Sequence, residues 1–390
     1  MSPIASAADD GSRLAQEVPG NSDSRMLKSR SLAIYVSVWI LAVFLAETAW
    51  AQQRPAASDP AVPPAPGDMS RLAEGVYVRI VSPDSDAVGN AGVVILESGV
   101  LVFDTHFTPE AGDALMSRIK SLTPLPVRLI INSHFHPDHT HGNQAFAGAR
   151  MIVGSSNTRR DMLQEDIPAL NQVQTIALAQ VEQLSREIAK EPNAKLQEAL
   201  RAQLGARQAF LRRMSALKIL PPVMTLDDSL NIMDGGREVR LLCLGDGHTD
   251  GDIVMVLPEA KIAFLGDLFF NGALPNVEDA CVLDWMKTLK EVLKLDVRTY
   301  VPGHGPVGTK SDVELFLNYF EELKGLVGPA VKRGDTLEQV VSDLRLPARY
   351  STFGFRNFFA ANLQKMYAEL KALEVPVPAK AGVKKRGVPR

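Results

Sequence analysis

Four of the chain's seven histidines fall within eight residues, in His134-Phe-His136-Pro-Asp138-His139-Thr-His141. A backbone that gathers so many imidazoles has few ways to fold around them. In an extended segment residues i and i+2 project to the same side, so His134 and His136 converge on one point. Pro137 then turns the chain, and Asp138 and His139 aim at a second point beside it. Imidazole nitrogen and carboxylate oxygen suit zinc, which favours four ligands, so the missing donors must come from distant segments. Three loops offer them: His248 in Gly245-Asp-Gly-His-Thr-Asp-Gly251, Asp267 ending Ile262-Ala-Phe-Leu-Gly-Asp267, and His304 in Pro302-Gly-His-Gly-Pro306. Like the histidine cluster itself, which follows Leu129-Ile-Ile131, each lies just past an apolar strand, where a sheet-based protein assembles a site.

The hydrophobic pattern supplies that sheet. Gly75 to Val81, Gly92 to Leu96, Val100 to Phe103 and Pro126 to Ile131 read as strands, with a helix from Pro109 to Ser121 between the last two. Strands are expected again at Glu238 to Leu244, Asp252 to Leu257, Lys261 to Leu265 and Arg298 to Val301, and helices at Trp285 to Leu295, Val313 to Leu326 and Asn357 to Leu373. Strands interleaved with helices point to an α/β arrangement. Between Asn157 and Leu220 the pattern changes. Leu170, Val173, Ala177, Val181, Leu184 and Ile188 form one helical stripe, Pro192-Asn193 interrupts it, and Leu196, Leu200, Leu204, Leu211 and Met214 form another. This predicts a helical hairpin that covers core surface, or acts as a lid or dimer arm beside the site.

These motifs together resemble the metallo-β-lactamase-fold hydrolases, over roughly residues 70 to 310. The residues that carry the resemblance are His-x-His-x-Asp-His at His134 to His139, Gly-His-Thr at Gly247 to Thr249, Gly-Asp at Gly266 to Asp267 and Pro-Gly-His-Gly at Pro302 to Gly305. The resemblance implies a four-layer αββα sandwich at residues 70–315, here with the helical-hairpin insertion at 157–220 and a C-terminal helical segment at 316–375. It also implies two zinc ions (Zn2+). His134, His136 and His248 would hold one, Asp138, His139 and His304 the other, and Asp267 would bridge them. Asp138 would in addition act catalytically by orienting the nucleophile, and Asp104 would support the site from behind.

The activity implied is a dinuclear zinc-dependent hydrolase, in which water activated at the metals attacks an ester- or amide-type bond of a small molecule, of the lactam, lactone or thioester class. A phosphodiesterase, or a non-catalytic periplasmic zinc-binding accessory protein, are the alternatives; the intact ligand set favours an enzyme. The stretch from Gly247 to Ala280 is similar to the zinc β-lactamases that use a cysteine ligand, with two departures. Asp267 stands where those have the cysteine, and Phe270 stands where several have a lysine for the drug carboxylate. Asn276 is expected to face the site. His141 and His106 are read as supporting groups, and Asp246, Asp250 and Asp252 as loop-forming carboxylates.

The remaining chain bounds location and partners. Met26-Leu-Lys-Ser-Arg30, an uncharged apolar run from Ser31 to Ala46 and Ala49-Trp50-Ala51 have the order of a signal peptide, residues 26–51, cleaved after Ala51. The apolar run is short of the roughly 20 residues that span a bilayer, so stable membrane insertion after cleavage is not expected. Residues 1–25 read as a non-native extension before a true start at Met26, 52–69 as a flexible leader rich in Pro and Ala, and 376–390 as a basic solvated tail. A periplasmic or secreted protein follows. A formal net charge of -3 gives no case for nucleic acid. Cys243 and Cys281 are expected as free thiols, and the absence of a Cys-x-x-Cys pair excludes a thiolate zinc finger.

Overall fold

Apolar strands that are buried on both faces dictate the architecture. In a computed structural model, which describes residues 69–149 and 151–374, they form two sheets. The expected N-terminal extension, signal peptide and basic tail, and all of the leader except Met69, lie outside the described residues. The first sheet has seven strands in sequence order: β1 (Met69–Ala73), β2 (Val76–Arg79), β3 (Ala91–Ile95), β4 (Val100–Phe103), β5 (Val127–Ile131), β6 (Met151–Ser155) and β7 (Met224–Leu226). Strands β1 to β4 pair antiparallel, and β4 to β7 parallel. The second sheet has the order β12-β11-β10-β9-β8, built from β8 (Ser229–Asp234), β9 (Arg237–Leu242), β10 (Val254–Leu257), β11 (Ile262–Phe264) and β12 (Thr299–Val301).

Side chains alternate across each strand and divide the molecule into layers. Leu101 and Phe103 of β4, Met255 and Leu257 of β10, and Ile262 and Phe264 of β11 meet in the core between the sheets. Val100 and Val102 face outward onto Leu115 and Ile119 of helix α1 (Pro109–Leu122). Val254, Val256 and Ala263 face the other way, onto a helical layer that includes Trp285, Phe316 and Phe320. That layer is built from α6 (Val282–Val292), α7 (Lys310–Arg333), α8 (Leu337–Asp343) and α9 (Phe359–Glu374), the intervening α2 to α5 being Pro137–Thr140, Ser156–Asp161, Ile167–Lys190 and Ala194–Ala216. The result is helix, sheet, sheet, helix: the αββα sandwich.

Helices α4 and α5 lie antiparallel on either side of Glu191–Asn193, where the Asn193 Oδ1 accepts the backbone N–H groups of Lys195 and Leu196 and caps the second helix. Burial is confined to their base. Leu170, Val173, Ala177 and Phe210 pack around Phe135, while the far end of the hairpin is largely exposed. Phe135 is the residue between His134 and His136, so the hairpin rests on the segment that carries the site. A π-helical turn, Met162–Asp166, leads into it.

Strands β1, β6, β7 and β8 were not expected from the sequence. Their burial is partial: β8 alternates between exposed and half-buried positions, and β1 has no buried residue. β1 and β8 are edge strands, each paired to the next strand through a two-residue turn, at Glu74-Gly75 and Gly235-Gly236.

The sheets approach closely where Gly92 of β3 faces Phe264 of β11. A Cβ on Gly92 would come within 2.5 Å of the Phe264 ring, which is itself held against Phe103 with centroids 5.8 Å apart. Gly92→Ala should therefore lower stability by about 1–3 kcal/mol through overpacking. Denaturant unfolding checks this, and Phe264→Leu in the same chain should recover part of the loss.

Candidate metal centre

The site lies along one edge of the sandwich, where five strands end. Past β4 come Asp104 and His106, both with left-handed backbone (φ 63° and 73°). Past β5 come Ser133 to His136, then Pro137 as the first residue of the one-turn helix that presents Asp138 and His139. Gly245 to Gly251 follows β9 and carries His248, Asp267 follows β11, and His304 follows β12. Backbone hydrogen bonds bind these loops together: Asp104 N–H to Ile131 O at 2.9 Å, Thr105 N–H to His139 O at 2.9 Å, and Gly303 N–H to Gly266 O at 2.7 Å.

All seven residues singled out in the sequence are brought together, in two groups. Ligand atoms of His134, His136, His248 and Asp267 lie within 4.8 Å of one another, as do those of Asp138, His139 and His304. Asp267 reaches both groups. One of its oxygens lies 3.1 Å from His139 Nε2, and the other 3.2 Å from His304 Nε2 and 3.3 Å from His248 Nε2. Asp138 Oδ2 is 3.2 Å from His304 Nε2 and 3.4 Å from His139 Nε2. Every one of these residues except Asp138 is buried.

The partners behind the histidines fix which nitrogen faces inward. Carboxylates and carbonyls only accept hydrogen bonds, so the ring nitrogen beside one must carry the proton. His139 Nδ1 donates to Asp104 Oδ2 at 2.9 Å, His136 Nε2 to Asp279 Oδ2 at 2.9 Å, and His248 Nδ1 to the Asn276 carbonyl at 3.2 Å. The Ser133 hydroxyl donates to Asp104 Oδ2 at 2.8 Å, which leaves its oxygen to accept from His134 Nδ1 at 2.9 Å. The other nitrogen of each ring is thus a lone pair directed into the cluster. His136 Nδ1 lies 2.8 Å from His248 Nε2 and 3.0 Å from His134 Nε2. Lone pairs at such distances repel unless a cation lies among them. His139 Nε2 and Asp267 Oδ1, though 3.1 Å apart, make no hydrogen bond with each other or with anything else. Their geometry suits a common third partner. The donor set fits metal ions.

Electrostatics agree. Burial, with His139 and His136 adding to it, holds the His134 imidazole well below its usual pKa, and burial takes His248 to about 3. Burial opposes charge on His136 and His139 too, but Asp279 outweighs it for the first, and Asp138, Asp267 and Asp104 for the second; both are raised. Burial works against ionised Asp138 and Asp267 as well, yet His139 and His304 keep both carboxyls well below the ordinary range. Imidazoles and buried carboxylates that stabilise charge on one another at such distances mark a place where a divalent cation would substitute for the imidazolium protons.

The supporting residues fall into place around this. His141 turns away from the cluster, donating to both oxygens of the buried Asp166 at 3.1 Å and stacking on Phe107. His106 donates from Nδ1 to Gly89 O at 2.7 Å, and burial lowers its pKa to about 3. Asp250 pairs with Arg160, and Asp252 accepts the backbone and hydroxyl of Thr249. Asn276 meets the site through its carbonyl, while its side chain accepts Glu278 N–H. Phe270 is buried, stacked on the His304 ring at 4.9 Å. Asp279 was missed in the sequence, although it lies in the stretch from Gly247 to Ala280; no spacing rule ties it to His136.

The profile of the metallo-beta-lactamase superfamily matches residues 85–304. The chain belongs to that superfamily. Among curated proteins it is similar to a linear primary-alkylsulfatase of a Pseudomonas species, 24% identical over 262 residues, covering 64% of this chain and 48% of that one. It is also similar to a metallo-beta-lactamase type 2 of Bacillus cereus, 34% identical over 108 residues, covering 26% of this chain and 41% of that one. The chain spans about half the length of the curated relatives it matches. A solved metallo-beta-lactamase from Pontibacter korlensis aligns with a TM-score of 0.48 at 19% identity, over 65% of this chain and 98% of that one.

Asp104 stands behind both groups, since it accepts Ser133 N–H at 2.8 Å, the Ser133 hydroxyl and His139. Asp104→Asn keeps only one accepting oxygen and adds a misplaced donor. It should weaken metal binding by about 10–100-fold at both groups, the usual effect of losing such a partner. Titration against a competing chelator measures this, and unchanged affinity would show that Asp104 orients neither histidine.

Proposed function

We propose that this chain is a metal-dependent hydrolase that binds two zinc ions and cleaves an ester- or amide-type bond in a small molecule. The observation that carries the reading is the pair of adjoining ligand groups, each with inward lone pairs, sharing Asp267. His134, His136 and His248 are assigned to one ion, Asp138, His139 and His304 to the other. Zinc held there supplies a water whose pKa is lowered toward ~7 and a Lewis acid for the oxygen of the scissile group.

The protein's own groups do the rest. The outer nitrogens of His139, His134, His136 and His248 are committed to Asp104, Ser133, Asp279 and Asn276, which turns their other nitrogens inward toward the metal positions. Asp138, with a side chain 20% exposed, is the carboxylate of the set that reaches the mouth. It orients the attacking water. Phe270 and Phe355 flank the His304 ring, at 4.9 and 5.8 Å, and present an apolar wall where a carboxylate-bearing drug would need a cation. That favours a lactone or thioester over a lactam. A second reading, an alkyl sulfate ester, is supported by the length of the match to the alkylsulfatase, 262 residues against 108 for the β-lactamase. The N-terminal order of basic, apolar and Ala-x-Ala segments supports export, with mature protein starting at Gln52.

A panel of lactones, thioesters, β-lactams, alkyl sulfates and phosphodiesters, assayed on protein purified from Gln52 onward, tests the reading. One class should be turned over in a chelator-sensitive way, and Asp138→Ala should reduce kcat by about 100-fold or more. His136→Ala should abolish turnover together with the bound metal. Turnover that survives both substitutions would contradict the assignment.

A further inference from the structure

Four of the five histidines in the cluster have a polar partner on their outer nitrogen. His304 has none: its Nδ1 is buried without a hydrogen bond. The ring packs against Phe270 and Phe355, and edge-on against His139 at 5.6 Å, none of which gives Nδ1 a hydrogen bond. What orients it must therefore act through the backbone of its loop. That loop is irregular, and its carbonyl groups converge on one side chain. Asn90, 3% exposed, donates from Nδ2 to Pro302 O at 3.0 Å and to Gly305 O at 2.9 Å, while its own backbone N–H donates to Gly303 O at 2.8 Å. Its Oδ1 accepts Val81 N–H at 3.1 Å, which ties the residue to the end of β2. Every hydrogen-bonding atom of the Asn90 amide side chain is used.

The same short segment also touches the other histidine of that group. Gly89 lies against His139, so closely that a Cβ there would come within 2.7 Å of the ring, and Val88 before it adopts a left-handed backbone (φ 59°). The left-handed conformation is costly for a β-branched residue, about 1–3 kcal/mol, and persists where surrounding structure demands it. The partners shown for His134, His136 and His248 are Ser133, Asp279 and Asn276, in other segments.

We propose that Asn90 is the positioning residue of the second metal pocket, holding the His304 loop in place of the ring partner that His304 lacks, so that this pocket has a support of its own beyond the Asp104 carboxylate that both pockets share. This rests on the two-pocket reading above. A residue in this role sets whether the protein holds one metal or two, with no contact to metal or substrate.

The test uses Asn90→Asp, which keeps the volume but turns both donors into acceptors facing carbonyls, and Asn90→Ser, which keeps one donor if the carboxylate prevents folding. Binding is followed by competition titration with zinc and by cadmium NMR, which gives each pocket its own resonance. In either variant the resonance of the Asp138, His139 and His304 pocket should be lost or broadened, and its affinity should fall by about 10–100-fold, while the three-histidine pocket is unchanged. Asp279→Asn should give the mirror result. Equal weakening of both pockets, or of neither, overturns the inference. An unsubstituted protein that takes up fewer than two equivalents overturns the two-pocket reading first, and the inference with it.

Discussion

A single buried carboxylate organises both halves of the site. Asp104 is 1% exposed and accepts three hydrogen bonds, two from Ser133 and one from His139. Burial raises its pKa, and only His139 and Ser133 work against that. Through the Ser133 hydroxyl it sets the tautomer of His134, and directly it sets that of His139, so one charge fixes an inward lone pair in each ligand group. The left-handed backbone at Asp104 follows from this position. The strand must stop and turn its last side chain back under the histidine loop, and Asp tolerates that conformation better than most residues.

The sandwich serves this arrangement. Parallel β4 and β5 end side by side, so Asp104 and the His134 segment emerge adjacent, and the parallel pair β11 and β12 does the same for Asp267 and His304. Contact between the two sheets brings the pairs face to face. Within the second pair the loops themselves are tightly packed: a Cβ on Gly303 would meet Asp267 Oδ1 at 1.8 Å. Trp285 extends the rigidity outward: its ring packs edge-on to His248 at 5.4 Å, and its Nε1–H donates to Leu268 O.

Much of this was legible in the sequence because ligand chemistry is local. Histidines two apart on a strand, a proline that turns the chain, and Gly-flanked acids and histidines just past apolar runs are each visible in a few consecutive residues. The strands that carry the site were legible for the same reason, being short apolar runs. What could not be read is what depends on partners far away in sequence. Asn90 meets residues more than 200 positions on, and Asp279 meets His136 from 143 positions away. Likewise the His141–Asp166 pair joins the histidine loop to the base of the helical hairpin, which periodicity alone could place in sequence but not in space. The edge strands β1 and β8 lacked a buried run to mark them.

The central claim is that the seven clustered residues form two metal pockets sharing Asp267. Anomalous diffraction from crystals of the zinc-loaded protein, recorded above and below the zinc absorption edge, tests it most directly. The account predicts two anomalous peaks, one among His134, His136 and His248 and one among Asp138, His139 and His304, with Asp267 beside both. A single peak, or peaks away from these side chains, would contradict it.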